Sequence, residues 1–296
     1  MPEGDTLFRA AASLGPYLEG KPVLALEFPR MGKRAGQLVG HKVTRVEARG
    51  KNLLIFFDEG SALHTHLRMS GVWHLYREGE LWRRPANTAT VVLAVPGFIA
   101  ACFRAPVVRL VRAKGLPMDG LIGALGPDLL GETFDEDEAL RRLRARDDLP
   151  LGVAVMDQRA VAGIGNVYKS EVLFHEQFDP FAPVRLYSDE ELRKMLAFAR
   201  RIMQANVTPR RPAVPGGEGH AAHYQYTRTT RTGRGEKSVG PLAVYGRVRE
   251  ACFDCGATIR MERQGEARRS TYYCPRCQPR REAPLRAETE GAEVRG

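Results

Sequence analysis

Four cysteines near the C-terminus have the residue type and spacing of a metal site. They form two C-x2-C pairs separated by eighteen residues: Cys252, Cys255, Cys274 and Cys277. Each pair can present two thiolates from one turn, and two such turns make the tetrahedral four-sulfur cage that zinc prefers. Because four protein ligands leave no open position, the pattern predicts one structural zinc ion and not a catalytic one. Two disulfides are the alternative, and they would require an oxidising compartment.

The segment around these cysteines is strongly basic. Residues 200–280 contain sixteen Lys and Arg but six Asp and Glu, and the formal net charge of the whole chain is +10. A charge concentrated in this way predicts a polyanionic partner. A solvated arginine-rich face is the alternative. A membrane surface is disfavoured, because the segment has no basic amphipathic helix and no lipidation motif.

The N-terminus offers a second kind of chemistry. The chain starts Met1-Pro2-Glu3, and methionine is usually removed when a small residue follows it. The resulting secondary amine would titrate near ~7.7–8, or lower at a helix N-terminus, so part of it is neutral at pH 7. Such an amine can attack a sugar carbon and form an iminium, with Glu3 moving protons beside it. A helix-start proline followed by a first-turn glutamate is the alternative interpretation.

Composition limits the remaining possibilities. With 296 residues and 43% hydrophobic content, the chain is long enough for two domains and a small module. No run approaches ~18 apolar residues, so no transmembrane helix is expected. No basic n-region precedes an apolar stretch, which predicts a cytoplasmic, nucleoid-associated protein without a secretory signal. The fifth cysteine, Cys102, lies in an apolar run and is expected to be a buried strand thiol.

The pattern of elements predicts an α+β protein in which three modules position these residues. Residues 1–118 should form a β-sandwich or a β-barrel with a leading helix that Asp5 caps. The helix is followed by eight strand-like runs: Val23–Phe28, Lys42–Glu47, Leu53–Phe57, Ala62–His66, Val72–Tyr76, Ala89–Val95, Ile99–Phe103 and Val107–Arg112.

Helices dominate the second module, residues 119–243. The expected helices are Phe134–Arg146, Tyr168–Phe174 and Ser188–Ala205, with capping boxes that start at Thr133 and Ser188. Residues 206–241 are expected to be a flexible loop.

The third module, residues 244–280, holds the cysteines on a hairpin whose arms are Ala257–Ile259 and Ser270–Tyr273. Residues 281–296 should be a disordered tail.

A glycine-rich turn joins two helical segments of the second module: Gly163-Ile164-Gly165-Asn166. Glycines let a backbone approach a phosphate closely, and free amides at the following helix N-terminus can bind the anion. Next to a basic zinc hairpin, the turn is therefore a plausible clamp on a DNA backbone. A simple turn between two helices is the alternative.

In order and spacing these segments resemble one family, the formamidopyrimidine-DNA glycosylases and endonuclease VIII enzymes of base-excision repair. The resemblance lies in six stretches: Pro2-Glu3-Gly4, Arg49-Gly50-Lys51-Asn52-Leu53-Leu54, His66-Leu67-Arg68-Met69-Ser70-Gly71, Gly163 through Phe174, Val244-Tyr245-Gly246-Arg247 and Arg269 through Gln278. It implies a β-sandwich domain, a helix–two-turns–helix domain and a zinc finger. It also implies a monomer that binds double-stranded DNA with damaged bases or abasic sites between them.

The resemblance also implies roles for individual residues. Pro2 matches the Schiff-base nucleophile and Glu3 the general acid. Lys51 matches a lysine that contacts phosphate and assists β-elimination. Arg269 matches the arginine that grips phosphate and serves δ-elimination, with a one-residue ambiguity toward its neighbour Arg268. The resemblance implies further DNA-binding positions in two places. One is the glycine-rich turn, with Gly163, Gly165 and Asn166. The other is the loop that fills the void left by an extruded nucleotide, with His66, Arg68 and Met69.

The lesion class is less defined by the sequence. Gly4-Asp5-Thr6 and Gly71-Val72-Trp73 look more like the endonuclease VIII branch, which removes oxidised pyrimidines. Thr6 stands where many family members carry a second acidic residue. An oxidised-purine glycosylase of the same family is one alternative, and a non-catalytic protein that binds damaged DNA is the other.

Overall fold

The computed structural model describes residues 2–207 and 242–282, and these form three modules with mixed α and β structure. The predicted β-sandwich, helical module and four-cysteine hairpin are all present. Across these two ranges, no helix combines the length and the hydropathy that crossing a bilayer requires.

The first module packs two antiparallel sheets face to face. One sheet has five strands in the order β2-β1-β7-β8-β6, and the other has four in the order β3-β4-β5-β9. The strands in chain order are β1 Ala25–Phe28, β2 Lys33–Arg34, β3 Val43–Arg49, β4 Asn52–Phe57, β5 Ser61–His66, β6 Val72–Arg77, β7 Ala89–Val95, β8 Phe98–Phe103 and β9 Val107–Arg112. Apolar side chains from both sheets share one buried core, which includes Cys102 as predicted.

Helix α1, Gly4–Leu18, covers one end of this sandwich. Its apolar stripe of Leu7, Leu14 and Leu18 is buried in the sandwich core. The helix also contacts strand β3 on one side and helix α5 of the second module on the other. Residue Pro2, which precedes α1, is therefore held where the first two modules meet.

The second module is a small helical domain with its own core. Its helices are α2 Glu136–Arg144, α3 Leu151–Ala154, α4 Asn166–His175 and α5 Asp189–Val207. The predicted capping box at α5 is confirmed: Glu191 N–H donates to Ser188 Oγ at 3.1 Å, and Ser188 N–H donates to Glu191 Oε2 at 2.7 Å.

The third module is the hairpin of β10, Arg260–Gln264, and β11, Arg269–Tyr273. A buried carboxylate joins its beginning to α4, because Glu171 accepts the backbone N–H groups of Ala243, Val244 and Tyr245 at 2.7–2.9 Å. Two stretches that the sequence comparison treated separately, the one around Glu171 and the one around Tyr245, are thus in direct contact.

Several predicted boundaries are wrong, each for a local reason. Glu3, not Asp5, is the N-cap of α1, since Glu3 is the last extended residue before the helix. Asp135, not Thr133, caps α2, and its Oδ1 accepts Glu138 N–H at 2.9 Å.

The first hairpin arm begins at Arg260, because Ala257–Ile259 instead bond back to residues 250–252 around the first cysteine pair. Residues 206 and 207 end α5 and do not begin a loop. Arg281 pairs with Glu191 at 2.7 Å, so the predicted tail does not start there. The rest of the predicted loop and tail lies outside the described residues.

Candidate active site

A cavity of about 520 Å³ lies where the three modules meet. This volume falls within the ~300–1,000 Å³ typical of small-molecule sites. Each module contributes residues to its wall: Pro2, Lys51, His66, Arg68 and Met69 from the first, Gln158 and Lys169 from the second, and Gln264 and Arg269 from the third. Six residues predicted from the sequence to act on DNA are therefore brought to one cavity, although they span most of the chain.

The turn that carries Lys51 is held from two sides. Lys51 sits in the tight turn between β3 and β4, and Gly50 N–H donates to Asp128 Oδ2 at 2.6 Å. Asp128 comes from the segment that leads into the helical module, and burial raises the pKa of its carboxyl group. Since a backbone amide next to Lys51 is anchored to a second module, the lysine is positioned by both.

A buried polar chain supports the same turn from below. Asn52 Nδ2 donates to the Arg49 backbone carbonyl at 3.0 Å, and the side-chain oxygen Asn52 Oδ1 lies 2.9 Å from His64 Nε2. The other ring nitrogen, Nδ1, accepts from Arg109 at 2.9 Å, and Arg109 pairs with Asp119 at 3.0 Å. Burial, followed by the Arg109 charge, lowers the pKa of His64 to about 4. His64 is thus neutral at physiological pH. Its hydrogen bonds to Arg109 and Asn52 connect strand β9 to the Lys51 turn.

Glu3 is completely buried directly behind Pro2. Its carboxylate accepts three backbone N–H groups at the start of α4: Val167 at 2.9 Å, Gly165 at 3.0 Å and Tyr168 at 3.3 Å. A helix N-terminus favours an anionic group, both through its unpaired amides and through its dipole. The N-terminal segment of the chain is therefore fixed to the glycine-rich turn by a side chain that is itself a predicted catalytic residue.

The glycine-rich turn uses two of its backbone amides within the protein. We expected its amides to be free for phosphate, but Gly165 donates to Glu3 and Gly163 donates to Gln158 Oε1 at 3.1 Å. A Cβ atom on Gly165 would come within 2.3 Å of the Glu3 carboxyl carbon. Glycine is required here because the Glu3 side chain fills the space that any other residue would occupy.

The loop after β5 forms the exposed rim of the cavity. Met69 is 65% exposed, so it is not a core residue, and Arg68 adopts a positive φ of 45° beside it. His66 Nδ1 accepts Arg68 N–H at 3.1 Å. Burial, together with the charges of Lys51 and Arg68, lowers the pKa of His66. An exposed, apolar Met69 on a cationic rim suits insertion into a base stack.

The positions of the two adjacent arginines in the hairpin show which of them faces the cavity. Arg269 is the first residue of β11 and lines the cavity, whereas Arg268 lies in the hairpin turn with φ of 48°. Asn166, at the start of α4, is buried beside this strand, and its Nδ2 donates to Ser270 Oγ at 3.2 Å. The geometry therefore favours Arg269 over its neighbour for contact with a bound group.

The four cysteines converge as their spacing predicts. Their sulfur atoms all lie within 4.8 Å of one another, with Cys252 and Cys277 Sγ atoms 3.8 Å apart and those of Cys255 and Cys274 3.4 Å apart. These separations exclude disulfides, whose sulfurs are ~2.05 Å apart, and they match the edge of a tetrahedron around zinc, about 3.8 Å for a Zn–S distance near 2.3 Å. The donor set thus fits a closed metal site.

Several residues that shape the site were not identified from the sequence. Lys169 is 1% exposed yet lines the cavity, and burial lowers its pKa to about 7. Asp128, His64 and Glu171 act through hydrogen bonds to backbone or side chains far away in the chain. Lys169 and Glu171 gave a signal, because they lie among the apolar residues of α4 and buried charges are rare without a partner.

The fold and the cavity together define a type of architecture. Three modules surround a cleft lined by cationic side chains, and one of the three is a hairpin with a four-cysteine cluster. Family models support the same division. Residues 1–102 match the formamidopyrimidine-DNA glycosylase N-terminal domain, residues 125–213 its H2TH domain, and residues 250–280 the zinc finger found in FPG and IleRS.

Curated relatives match over nearly the full chain. The probable endonuclease 8 2 of Streptomyces coelicolor is 36% identical over 281 residues, covering 94% of each chain. The DNA-(apurinic or apyrimidinic site) lyase Nei2 of Mycolicibacterium smegmatis is 35% identical over 279 residues, covering 94% of this chain and 99% of the relative. The formamidopyrimidine-DNA glycosylase of Methylococcus capsulatus is 31% identical, covering 94% and 98%. This chain therefore belongs to the formamidopyrimidine-DNA glycosylase and endonuclease VIII family.

Solved structures agree at the level of the fold. A Lactococcus lactis formamidopyrimidine-DNA glycosylase, noncovalently bound to DNA that contains an AP site, matches with a TM-score of 0.72 and 21% identity. The match covers 94% of this chain and 100% of that chain. The family's three-module arrangement is thus retained although few residues are shared with that protein.

Proposed function

We propose that this protein is a bifunctional DNA glycosylase and abasic-site lyase of base-excision repair, which excises oxidised bases and favours pyrimidines. One observation carries the proposal: Pro2, Lys51 and Arg269, from three distant parts of the chain, line one cavity. Membership of the family, and relatives named as glycosylases and as an abasic-site lyase, support it. The partner would be double-stranded DNA that contains damaged bases or abasic sites, bound by a monomer in the cytoplasm.

In the proposed mechanism, the Pro2 secondary amine, freed by loss of Met1, attacks C1′ of the damaged nucleotide. The base leaves with a proton, and Glu3, fixed behind Pro2, is the group proposed to manage that proton. The product is an iminium between Pro2 and the opened sugar. A flipped nucleotide suits the cavity, because unstacking costs only a few kcal/mol and less for a damaged base.

The iminium then drives strand cleavage. It acidifies the C2′ protons, so loss of one of them expels the 3′ phosphate by β-elimination, and a second elimination expels the 5′ phosphate. Lys51 and Arg269 are the cations proposed to hold these phosphates. Lys51 reaches the cavity from the first module and Arg269 from the third. Arg68 and Met69 on the rim, with His66 below them, would fill the space that the extruded nucleotide leaves.

The hairpin module would hold one zinc ion. Cys252, Cys255, Cys274 and Cys277 supply all four ligands, so zinc would stabilise the hairpin that carries Arg269 and take no part in the chemistry. A backbone hydrogen bond from Ala257 lowers the pKa of the Cys255 thiol to about 7, whereas burial raises the pKa of the Cys252 and Cys277 thiols.

Lesion preference is tested by a panel of duplexes. The protein lacking Met1 is incubated separately with duplexes that contain thymine glycol, dihydrouracil, 8-oxoguanine or an abasic site. Base release and strand cleavage are measured for each duplex. We expect the two oxidised pyrimidines and the abasic site to be processed faster than 8-oxoguanine. A reversed order would assign the protein to the oxidised-purine branch. Binding of damaged duplexes without any cleavage or borohydride trapping would identify it as a non-catalytic damage-binding protein.

A further inference from the structure

One face of α4 grips the strand that begins with Arg269. Asn166 Nδ2 donates to Ser270 Oγ at 3.2 Å, and Ser170 Oγ accepts Tyr272 N–H at 3.2 Å. Between them, Lys169 Nζ donates to the Ser270 carbonyl at 2.9 Å and to Thr271 Oγ1 at 2.8 Å. Positions 166, 169 and 170 lie on one side of a helix, so three consecutive strand residues are bound by a single polar face.

Lys169 is the exceptional member of this face. Its side chain is 1% exposed and borders the same cavity as Pro2, Lys51 and Arg269. Burial of a lysine is costly unless its amine is fully used. The charged groups around it are Glu3 at the start of α1, Lys51 on the β3–β4 turn and Arg269 on β11, and burial, partly offset by Glu3, lowers the Lys169 pKa to about 7.

We propose that Lys169 is the positioning residue that holds Arg269 at the cavity, and that it thereby sets the efficiency of the second, δ-elimination step. The inference rests on the proposed function. Its two hydrogen bonds fix the carbonyl of Ser270 and the side chain of Thr271, the residues directly after Arg269. Without them, the ladder with β10 would remain, but the start of β11 would be joined to α4 by the weaker contacts of Asn166 and Ser170.

The amine would keep this role in both of its protonation states. A neutral lysine still has two N–H groups for Ser270 and Thr271, so deprotonation removes a positive charge from the cavity without removing either bond. The site therefore predicts two separate effects of Lys169: a geometric effect on Arg269 at all pH values, and an electrostatic effect on phosphate binding that disappears as pH rises through 7.

The geometric effect is tested with Lys169→Met and the matched surface substitution Lys194→Met, which removes a 73% exposed lysine on α5. Both proteins are assayed on a duplex with a preformed abasic site, and the δ-product is measured relative to the β-product. We expect Lys169→Met to lower this ratio about tenfold, since small misplacements of a positioned group cost ~10–100-fold. Lys194→Met should match the wild type.

A double-mutant cycle with Arg269→Ala shows whether Lys169 acts through the arginine. In the Arg269→Ala background, Lys169→Met should cause no further fall in the ratio, because the group that it positions is gone. Independent, multiplicative effects of the two substitutions would overturn the proposal. Thr271→Val, which removes one of the two acceptors, should show the same defect in weaker form if Lys169→Met proves unstable.

The electrostatic effect is measured as binding to a duplex with a tetrahydrofuran abasic analogue at pH 6.5 and pH 8.5. Across this interval the wild type should lose about threefold more affinity than Lys169→Met, because only the wild type gives up the Lys169 proton. His66, whose pKa is lowered, is present in both proteins, so its titration cancels in the comparison. Equal losses in both proteins would overturn this part of the inference, whereas absence of any cleavage by the wild type would instead contradict the proposed function.

Discussion

At the scale of single residues, Glu3 combines a proposed catalytic role with a structural one. Its carboxylate is completely buried, and it is bound by three amides that belong to another module. Each amide needs an acceptor there, since an unpaired buried N–H costs ~1–3 kcal/mol. The residue proposed to handle the proton at the glycosidic step is therefore also a structural clamp between α1 and α4.

Glu3→Gln tests both tasks. Glutamine replaces one acceptor oxygen with an NH2 group that faces backbone N–H donors, so we expect the free energy of unfolding to fall by about 1–3 kcal/mol. Base excision should be lost, because the amide cannot transfer the proton. Denaturant unfolding and base release measure the two effects. Glu19→Gln, at the other end of α1, where Glu19 Oε1 accepts Val46 N–H at 2.7 Å, is the control and should keep base excision.

His64 gives a prediction about acid stability. The pKa of His64 is lowered from 6.5 to about 4 by burial and by Arg109, so the unfolded chain binds a proton between these values and the folded chain does not. The stability that this group provides is complete above pH 6.5 and is lost as the pH falls toward 4. The loss is on the order of 3 kcal/mol.

A comparison with His64→Gln isolates this contribution, because carboxylates and His66 titrate in both proteins. The free energy of unfolding should fall more steeply between pH 6.5 and 4.5 in the wild type than in the variant. Parallel curves would show that His64 is already protonated in the folded protein, contrary to its contact with Arg109.

At the scale of elements, the hairpin β10–β11 depends on the cysteine cluster. The hairpin has only two strands, and such an element is marginally stable without a further constraint. Its second strand nevertheless carries Arg269 to the cavity. A metal bound by the four thiolates would add a constraint to the hydrogen bonds that join β11 to α4.

Cys274→Ser should therefore release the metal and weaken binding of abasic-site DNA at least tenfold, through disorder of the hairpin that holds Arg269. Metal content is measured on the purified protein by emission spectroscopy, and affinity by titration. Cys102→Ala removes the buried thiol outside the cluster and should leave one equivalent of zinc in place. If the wild-type protein binds abasic-site DNA equally well without a metal, the zinc assignment is rejected.

At the scale of the whole molecule, the sequence predicted the modules better than their connections. The individual strands, helix α5 with its Ser188 cap and the four-cysteine cluster follow from local periodicity and spacing, whereas the choice of a sandwich over a barrel came from the family resemblance. The occupied amides of the Gly163 turn could not be predicted, since their acceptors lie in Glu3 and Gln158. Competing local signals explain the smaller errors, such as the choice between Thr133 and Asp135 as a cap.

The distribution of charge predicts how the whole molecule meets DNA. The excess of Lys and Arg over residues 200–280 should make affinity fall steeply with salt concentration. Arg269→Ala should reduce the slope of log affinity against log salt by about 1, because one phosphate contact is lost. The adjacent Arg268→Ala should change it less, since Arg268 lies in the hairpin turn. The opposite result would move the phosphate contact to Arg268.

Pro2 is proposed to supply the nucleophile in a cavity built by all three modules. Borohydride reduction during reaction with abasic-site DNA, followed by mass spectrometry of the cross-linked peptide, tests this directly. We expect a cross-link at residue 2, reduced in Pro2→Gly and absent when Met1 or a tag blocks the amine. A cross-link at Lys51 or Lys169, or full strand cleavage with Met1 retained, would contradict it.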